Sequence, residues 1–148
     1  MAHKHLPEMQ IHTGISRPPV FAPSVGRYAQ GMLVEVPLQL WAMPGKPSPT
    51  DLHVALEAAY AGEAFVEVAS GSECAELQKV RAGAGGYVQA LDPEALNGTN
   101  KMKLYVFGNQ EKGQARLVAV LDNLGKGASG AAVQSLNLML GLPEGAGL

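Results

Sequence analysis

The chain has 148 residues, 47% of them hydrophobic, and its 11 basic and 13 acidic side chains give a net charge of −2. This composition predicts one domain with its own core, and the lack of a basic run argues against a nucleic-acid partner. No apolar run approaches the roughly 20 residues that a membrane helix needs, and the N-terminus has no apolar signal-peptide region. A single cysteine, Cys74, favours a reducing, cytoplasmic compartment.

The first half of the sequence predicts two helices around one long strand. A short helix is expected over 7–13, ended by a glycine. Residues 31–41 alternate apolar and polar side chains, which is typical of a strand with one buried face, and Pro37 places this strand near an edge or bulge. Thr50 is the expected N-cap of a second helix over 51–61.

The second half predicts three strands and a final helix. A strand is expected over 64–69, then one or two helical turns within 73–81. Residues 103–108 and 114–122 are predicted to form a hairpin, followed by a helix over 127–140. The face of that helix expected to pack on the sheet comprises Val133, Leu136 and Leu140. The fold class is therefore α/β or α+β, with a mixed or largely antiparallel sheet and helices packed on it.

A glycine-rich turn follows the last predicted strand. Gly125, Gly127 and Gly130 match the G-x-G-x-x-G pattern of dinucleotide-binding folds, in which backbone N–H groups approach a pyrophosphate at a helix N-terminus. That fold needs another parallel strand with an acidic residue after the helix, whereas only 141–148 follow here. The turn is therefore expected to belong to a different fold.

Three segments together resemble a known family. They are HKHLPEM at 3–9, the Phe21-x-Pro23 pair followed by GMLVEVPL at 31–38, and DNLGKGASGAAVQ at 122–134. In this order they are similar to the N-acetyl-gamma-glutamyl-phosphate reductases of arginine biosynthesis, and specifically to the substrate-binding and dimerisation half of those enzymes. The similarity runs over essentially the whole chain.

The resemblance implies a single domain over 1–148 with the fold of a glyceraldehyde-3-phosphate-dehydrogenase C-terminal domain. It implies a cytoplasmic enzyme that reduces N-acetylglutamyl phosphate to the semialdehyde with NADPH, through a cysteine thiolate, a thioester and an imidazole acid/base. The family carries its NADP-binding Rossmann domain and its nucleophilic cysteine ahead of the histidine motif. The chain alone is therefore expected to be inactive, to need that Rossmann domain as a partner, and to self-associate.

The candidate catalytic residues are His3, His5 and Glu8. One imidazole would move a proton while the other histidine or Glu8 holds it in place, and the sequence leaves open which histidine acts. Solvated side chains at a terminus are the alternative. A metal site that adds His12 lacks supporting ligands, so no metal is expected.

The candidate cofactor-binding residues are Asn123, Gly125, Lys126 and Gly127, which the resemblance places beside the nicotinamide end of NADP. The alternative is that the glycines only allow close packing of the last helix and that Lys126 is a solvated charge. Three further residues are expected to be bystanders, two arginines at the surface and a cysteine between two acids: Arg17, Arg27 and Cys74.

Two other functions remain open at this point. The first is the reductase of lysine biosynthesis that acts on N-acetyl-aminoadipyl phosphate, a substrate one methylene longer. The second is a non-catalytic binding or oligomerisation module, which would have a genuine start codon at Met1 and no Rossmann-coding sequence in frame before it.

Overall fold

The computed structural model describes residues 3–78 and 91–148. Four helices and four strands are assigned within these residues. In chain order they are α1 Leu6–Thr13, β1 Gly31–Gln39, α2 Pro49–Ala59, β2 Val66–Val68, α3 Gly71–Gln78, β3 Met102–Asn109, β4 Gln114–Asp122 and α4 Gly130–Leu140. A 3₁₀ turn, Leu40–Ala42, follows β1, and a π-helical turn, Gly125–Ser129, precedes α4. No helix of the described residues is long and apolar enough to cross a membrane.

The four strands form one mixed sheet in the order β1-β4-β3-β2. β4 is antiparallel to both of its neighbours, whereas β2 runs parallel to β3. The hairpin predicted for the two long C-terminal strands is confirmed as β3 and β4, and the predicted mixed sheet with helices is confirmed as well. Of the helical turns predicted within 73–81, α3 covers the part up to Gln78, and 79–81 lie outside the described residues.

One face of the sheet, which we call the core face, carries the main hydrophobic cluster. Because side chains alternate between faces along a strand, odd positions of β3 and even positions of β4 meet there. The buried cluster comprises Ala69, Cys74, Tyr105, Phe107, Val118 and Val120, with Leu33, Leu77, Leu91 and Leu96 packed against it. Because Cys74 is the buried residue of α3 and belongs to this cluster, α3 packs over the core face.

The opposite face, which we call the open face, is also apolar. Val34 pairs with Ala119 and Val36 with Leu117, so an aliphatic patch spans β1 and β4. Val34 is 44% exposed and Val36 is 46% exposed. On β3 this face is approached by α2, whose first residue, Pro49, lies where a side chain on Gly108 would stand. Among residues 3–78 and 91–148, nothing covers the β1 side of this patch, where Val34 and Val36 stay exposed.

Strand β1 forms an edge of the sheet, as Pro37 predicted. At its two ends, Leu40 N–H donates to Gly113 O at 2.8 Å and Asn123 N–H donates to Gln30 O at 2.7 Å. These bonds show that the even positions of β1 point their backbone groups toward β4. Pro37 therefore occupies an outward position, where its missing N–H costs no ladder hydrogen bond.

Helix α2 begins earlier than predicted. Ser48, not Thr50, is the N-cap: its hydroxyl accepts from Asp51 N–H at 3.1 Å, and the Asp51 carboxylate accepts from Ser48 N–H at 2.8 Å. This reciprocal pair is a capping box, and Pro49 fits the first turn because its backbone needs no donor there. The prediction that Thr50 caps the helix was wrong because it ignored the preceding Ser-Pro pair.

The packing predicted for the last helix was also wrong. The predicted span 127–140 divides into the π-helical turn and α4, and Gly141, at φ +66°, ends the helix as expected. Yet Leu136 is 52% exposed and Leu140 is 63% exposed, and Val133 is exposed too. The buried side of α4 is instead formed by Gly130 and Asn137. The helix therefore turns its apolar face away from the described chain.

Candidate functional site

Asp122, the last residue of β4, organises the glycine-rich turn. One carboxylate oxygen accepts from Leu124 N–H at 2.8 Å and Gly125 N–H at 2.9 Å. The other accepts from Gly98 N–H at 2.7 Å and from the side-chain amide of Gln30 at 2.9 Å. Asp122 is 2% exposed, and the donated N–H groups, those of Gly125 and Gly98 foremost, hold the pKa of its carboxyl below the usual value.

The glycines of the turn allow close backbone packing. A Cβ on Gly125 would lie 2.7 Å from Thr99 O, and one on Gly130 would overlap Asn100 Oδ1. A Cβ on Gly127 would meet its nearest atom, Asn123 Oδ1, at 3.3 Å. The close contacts are thus made with the Gly-Thr-Asn segment before β3, and the strand-to-helix turn is pressed against that segment.

Lys126 is half-buried and contacts other parts of the same chain. Its ammonium donates to the side-chain oxygen of Gln134 at 2.7 Å and lies 5.7 Å from the centre of the Phe65 ring. The same Gln134 oxygen accepts from the Asn100 side chain at 2.8 Å, and the Gln134 amide donates to the Glu144 carboxylate. The lysine therefore ties the turn to α4, to the C-terminal residues and to the start of β2.

Asn123 and Gly127 are the exposed members of the predicted cofactor-binding set. The backbone N–H of Asn123 donates to Gln30 O, which anchors this residue at the start of the turn and leaves its carboxamide exposed there. A carboxamide both donates and accepts hydrogen bonds, and it is the group here most able to bind a polar ligand. Gly125 offers no free N–H because Asp122 already accepts it.

The N-terminal candidate residues lie before and within α1. Nδ1 of His3 accepts from the backbone N–H of His5 at 3.3 Å. The His3 ring packs edge-on against the His5 ring, with centroids 4.9 Å apart, and against the Phe21 ring at 4.7 Å. Glu8 is exposed one turn along α1, and within the described residues its carboxylate bonds to neither imidazole. The structure thus brings the two histidines together without Glu8.

Cys74 has a structural position. Its thiol donates toward Ala69 O at 3.9 Å and lies beside the backbone N–H of Val106. One turn later along α3, the Gln78 side chain accepts from Gly108 N–H at 3.1 Å and donates to Gly108 O at 2.8 Å. These two α3 side chains cover the part of the β3 edge that β2 does not reach. Burial, as the main cause, raises the pKa of the thiol, which leaves little of the nucleophilic thiolate.

The sequence predicted the turn, with Asp122 and Gln134 at the two ends of its motif, but not the contacts by which these residues support it. Asp122 had a recognisable signal, because an aspartate followed by Asn-Leu-Gly is typical of a side chain that bonds the next backbone N–H groups. Asn100 and Gln134 had no such signal, since their contact joins positions 34 residues apart. Phe21 was noted only as part of a motif. Arg17 and Arg27 are exposed, and within 3–78 and 91–148 no group of side chains could hold a metal ion.

Fold and site together describe a sheet domain with an internally braced turn and a separate histidine pair. The chain belongs to the family of semialdehyde dehydrogenase dimerisation domains, whose model matches residues 1–123. It is 51% identical over 146 residues both to N-acetyl-gamma-glutamyl-phosphate reductase 2 of Nostoc sp. and to the N-acetyl-gamma-glutamyl-phosphate reductase of Trichormus variabilis. The reductase of Brucella ovis is 51% identical over 141 residues, covering 95% of this chain and 42% of the relative. The match covers 99% of this chain but only 43% of the Nostoc protein. It lies in the C-terminal part of these relatives.

Proposed function

We propose that this chain is the C-terminal half of an NADP-dependent N-acetyl-gamma-glutamyl-phosphate reductase of arginine biosynthesis, working in the cytoplasm. The observation that carries the proposal is 51% identity across 99% of the chain to a reductase of that name. The mixed sheet and the family match support the same assignment. The N-terminal half of such an enzyme supplies the Rossmann domain and the nucleophilic cysteine, so we expect this chain alone to be inactive.

The proposed reaction converts an acyl phosphate into an aldehyde. The cysteine sulfur attacks the acyl carbon, the bond from carbon to the phosphate oxygen breaks, and a thioester forms. NADPH supplies the hydride that reduces this thioester. The part we assign to the present chain is proton transfer by one imidazole of the histidine pair, His3 or His5, with Glu8 exposed nearby.

For the cofactor, the proposed contact is the carboxamide of Asn123, which suits the carboxamide of a nicotinamide ring. The backbone of Gly127 lies beside this carboxamide, and a Cβ there would come within 3.3 Å of Asn123 Oδ1. Gly125 and Lys126 hold the turn in place through their bonds to Asp122 and Gln134. The pyrophosphate is assigned to the other half of the enzyme, since Asp122 already accepts the N–H groups that would bind a phosphate here.

Two uncovered apolar surfaces support two protein partners. The α4 face, formed by Val133, Leu136 and Leu140, is proposed to dock the cofactor-binding half, because the relatives are more than twice as long as this chain. The open-face patch at Val34 and Val36 is proposed to meet a second copy of the chain, because the matching family is one of dimerisation domains. Apolar patches of this kind mark protein contacts more often than bare surface.

The decisive experiment is a hybrid enzyme in which this chain replaces the matching C-terminal part of the Nostoc reductase. Phosphate- and NADP-dependent oxidation of N-acetylglutamate semialdehyde is measured for the hybrid, for this chain alone and for the Nostoc N-terminal part alone. We expect activity in the hybrid and in neither part.

Each other outcome corrects a different element of the proposal. Higher hybrid activity on the semialdehyde that is one methylene longer would replace the substrate with that of lysine biosynthesis. A folded hybrid that is inactive on both substrates would favour a non-catalytic module. Activity in this chain alone would show that the nucleophile lies within it.

A further inference from the structure

The contacts of His3 restrict what its imidazole can do. Nδ1 accepts the His5 N–H, and a nitrogen that accepts a hydrogen bond carries no proton. The proton of neutral His3 therefore sits on Nε2, which can donate a hydrogen bond. The ring is half-buried and edge-packed on Phe21 at an interplanar angle of 61°, so its direction is fixed.

The Phe21 ring that supports His3 is itself held in place. It lines a cleft of about 380 Å³ between α1 and the proline-rich segment that returns past it. The side chain of Gln10, on α1, donates to Ser16 O at 3.2 Å and ties the helix to the start of that segment. Phe21 therefore reaches His3 from a chain segment that is anchored to α1 rather than from a loose loop.

His5 differs from His3 in its exposure and in the hydrogen bonding of its ring, although the two rings pack edge-on with centroids 4.9 Å apart. It is exposed, and within the described residues neither of its ring nitrogens makes a hydrogen bond. Both nitrogens are therefore open to a hydrogen-bond partner from another part of the enzyme. Its backbone, in contrast, is fixed: His5 C=O accepts from Met9 N–H at 2.9 Å in the first turn of α1.

We propose that the two histidines have separate roles in the reductase reaction: His5 transfers the proton, and His3 is an oriented Nε2–H donor that Phe21 positions. This inference rests on the proposed function. In the first step the thiol gives its proton to His5, the sulfur–carbon bond forms and phosphate leaves with that proton. The Nε2–H of His3 donates to the acyl oxygen as negative charge develops on it. After hydride addition the carbon–sulfur bond breaks, the aldehyde is released and the thiolate takes a proton from solvent.

The test exploits the difference between a proton carrier and a hydrogen-bond donor. Glutamine can donate a hydrogen bond but cannot titrate, so in the hybrid enzyme His3→Gln should retain at least about ten times the activity of His3→Leu, with an unchanged pH profile. At His5, Gln and Leu should be equally damaging, each lowering kcat about 100-fold or more, and both should lose the imidazole limb of the pH profile.

Phe21 provides a separate readout of positioning. We expect Phe21→Leu to lower kcat on the order of 10-fold with the pH profile unchanged, whereas Val25→Ala, at a fully exposed neighbour, should have no effect. In this chain alone, nuclear Overhauser contacts should join the His3 and Phe21 rings, and they should persist in His5→Gln.

The failures are distinguishable. An active hybrid in which His5→Gln keeps its activity while His3→Gln loses it would overturn the division of roles and leave the proposed function standing. Absence of the His3–Phe21 contacts would overturn the positioning of His3. A folded wild-type hybrid without activity would remove the proposed function, and this inference with it.

Discussion

The Asp122 carboxylate occupies the place that an anion would take at the start of a helix. Its two oxygens accept hydrogen bonds from three parts of the chain: Leu124 in the turn after β4, Gly98 before β3 and Gln30 just before β1. A negative side chain is favourable at such a position because the first N–H groups of a helix lack partners. The glycine pattern resembles a phosphate-binding turn, but the N–H groups that would bind a phosphate here already donate to the Asp122 carboxylate.

Replacing Asp122 with asparagine should destabilise the chain and change its response to acid. The amide turns one acceptor into a donor that faces N–H groups, so the Tm should fall at pH 7. Because the folded pKa of Asp122 lies below its unfolded value, its contribution is complete above pH of about 4 and is lost as the pH falls through the folded pKa.

Thermal unfolding between pH 7 and 2 checks this prediction. The loss of stability below pH of about 4 should be smaller in Asp122→Asn than in the wild type. Glu111→Gln, in the exposed β3–β4 turn, removes a carboxylate without those donors and serves as the control. An Asp122→Asn variant with a wild-type Tm at pH 7 would contradict the role given to the carboxylate.

The turn glycines should differ in their tolerance of alanine. Gly130→Ala would force the added methyl against Asn100 Oδ1 and the Gly125 backbone, and overpacking of this kind costs about 1–3 kcal/mol. Gly127→Ala brings its methyl within 3.3 Å of Asn123 Oδ1, the end of an exposed side chain that can shift, and should cost less than about 1 kcal/mol. Urea unfolding of the two variants measures the difference, and equal costs would argue against tight packing at Gly130.

At the scale of an element, the start of α2 gives a direct comparison of sequence with structure. Ser48→Ala removes the capping hydroxyl and should lower the free energy of unfolding by about 1 kcal/mol. Thr50→Ala, two residues later and inside the helix, should have little effect or a small stabilising one because alanine has the higher helix propensity. A larger loss in Thr50→Ala, measured by urea unfolding, would restore Thr50 as the cap.

Strong local patterns predicted most of the elements correctly. The alternation in β1, Pro37 at the edge and Gly141 after α4 each act within a few residues, so the sequence alone reveals them. The packing of α4 was not predictable in this way. An apolar helical face indicates burial against some surface, and nothing local distinguishes this chain's own sheet from another protein.

In the candidate site, too, the local features were predictable from the sequence and the long-range contacts were not. The histidine pair and the turn are contiguous motifs and were found, whereas their supports arrive from distant parts of the chain. Gln30 reaches Asp122 across 92 positions, and Asn100 reaches Gln134 across 34. Such contacts follow from the sheet order, which a single sequence does not specify.

For the whole molecule, the position of its uncovered apolar surfaces matters most. The open-face patch lies on β1 and β4, whereas the α4 face belongs to a helix whose other side is tied to the chain's own C-terminal residues. Asn137, for example, donates to Glu144 O and Ala146 O, both at 2.9 Å. The two surfaces sit on separately braced elements, which would allow each to bind its own partner without competition.

A charge placed on either surface should therefore affect one association only. Val36→Lys should raise the dissociation constant for self-association at least tenfold, about 1.4 kcal/mol, because it buries an ammonium in an apolar contact. Leu140→Lys should leave self-association unchanged and instead weaken binding of the Nostoc N-terminal part by a similar factor. Val25→Lys, at a fully exposed valine outside both surfaces, is the control. Sedimentation equilibrium of the chain alone, and titration calorimetry with the separately expressed N-terminal part, measure the two constants. If both lysine variants weakened the same association, the two surfaces would have to be parts of one continuous interface. A substitution in one of two independent interfaces changes the dissociation constant of that interface only.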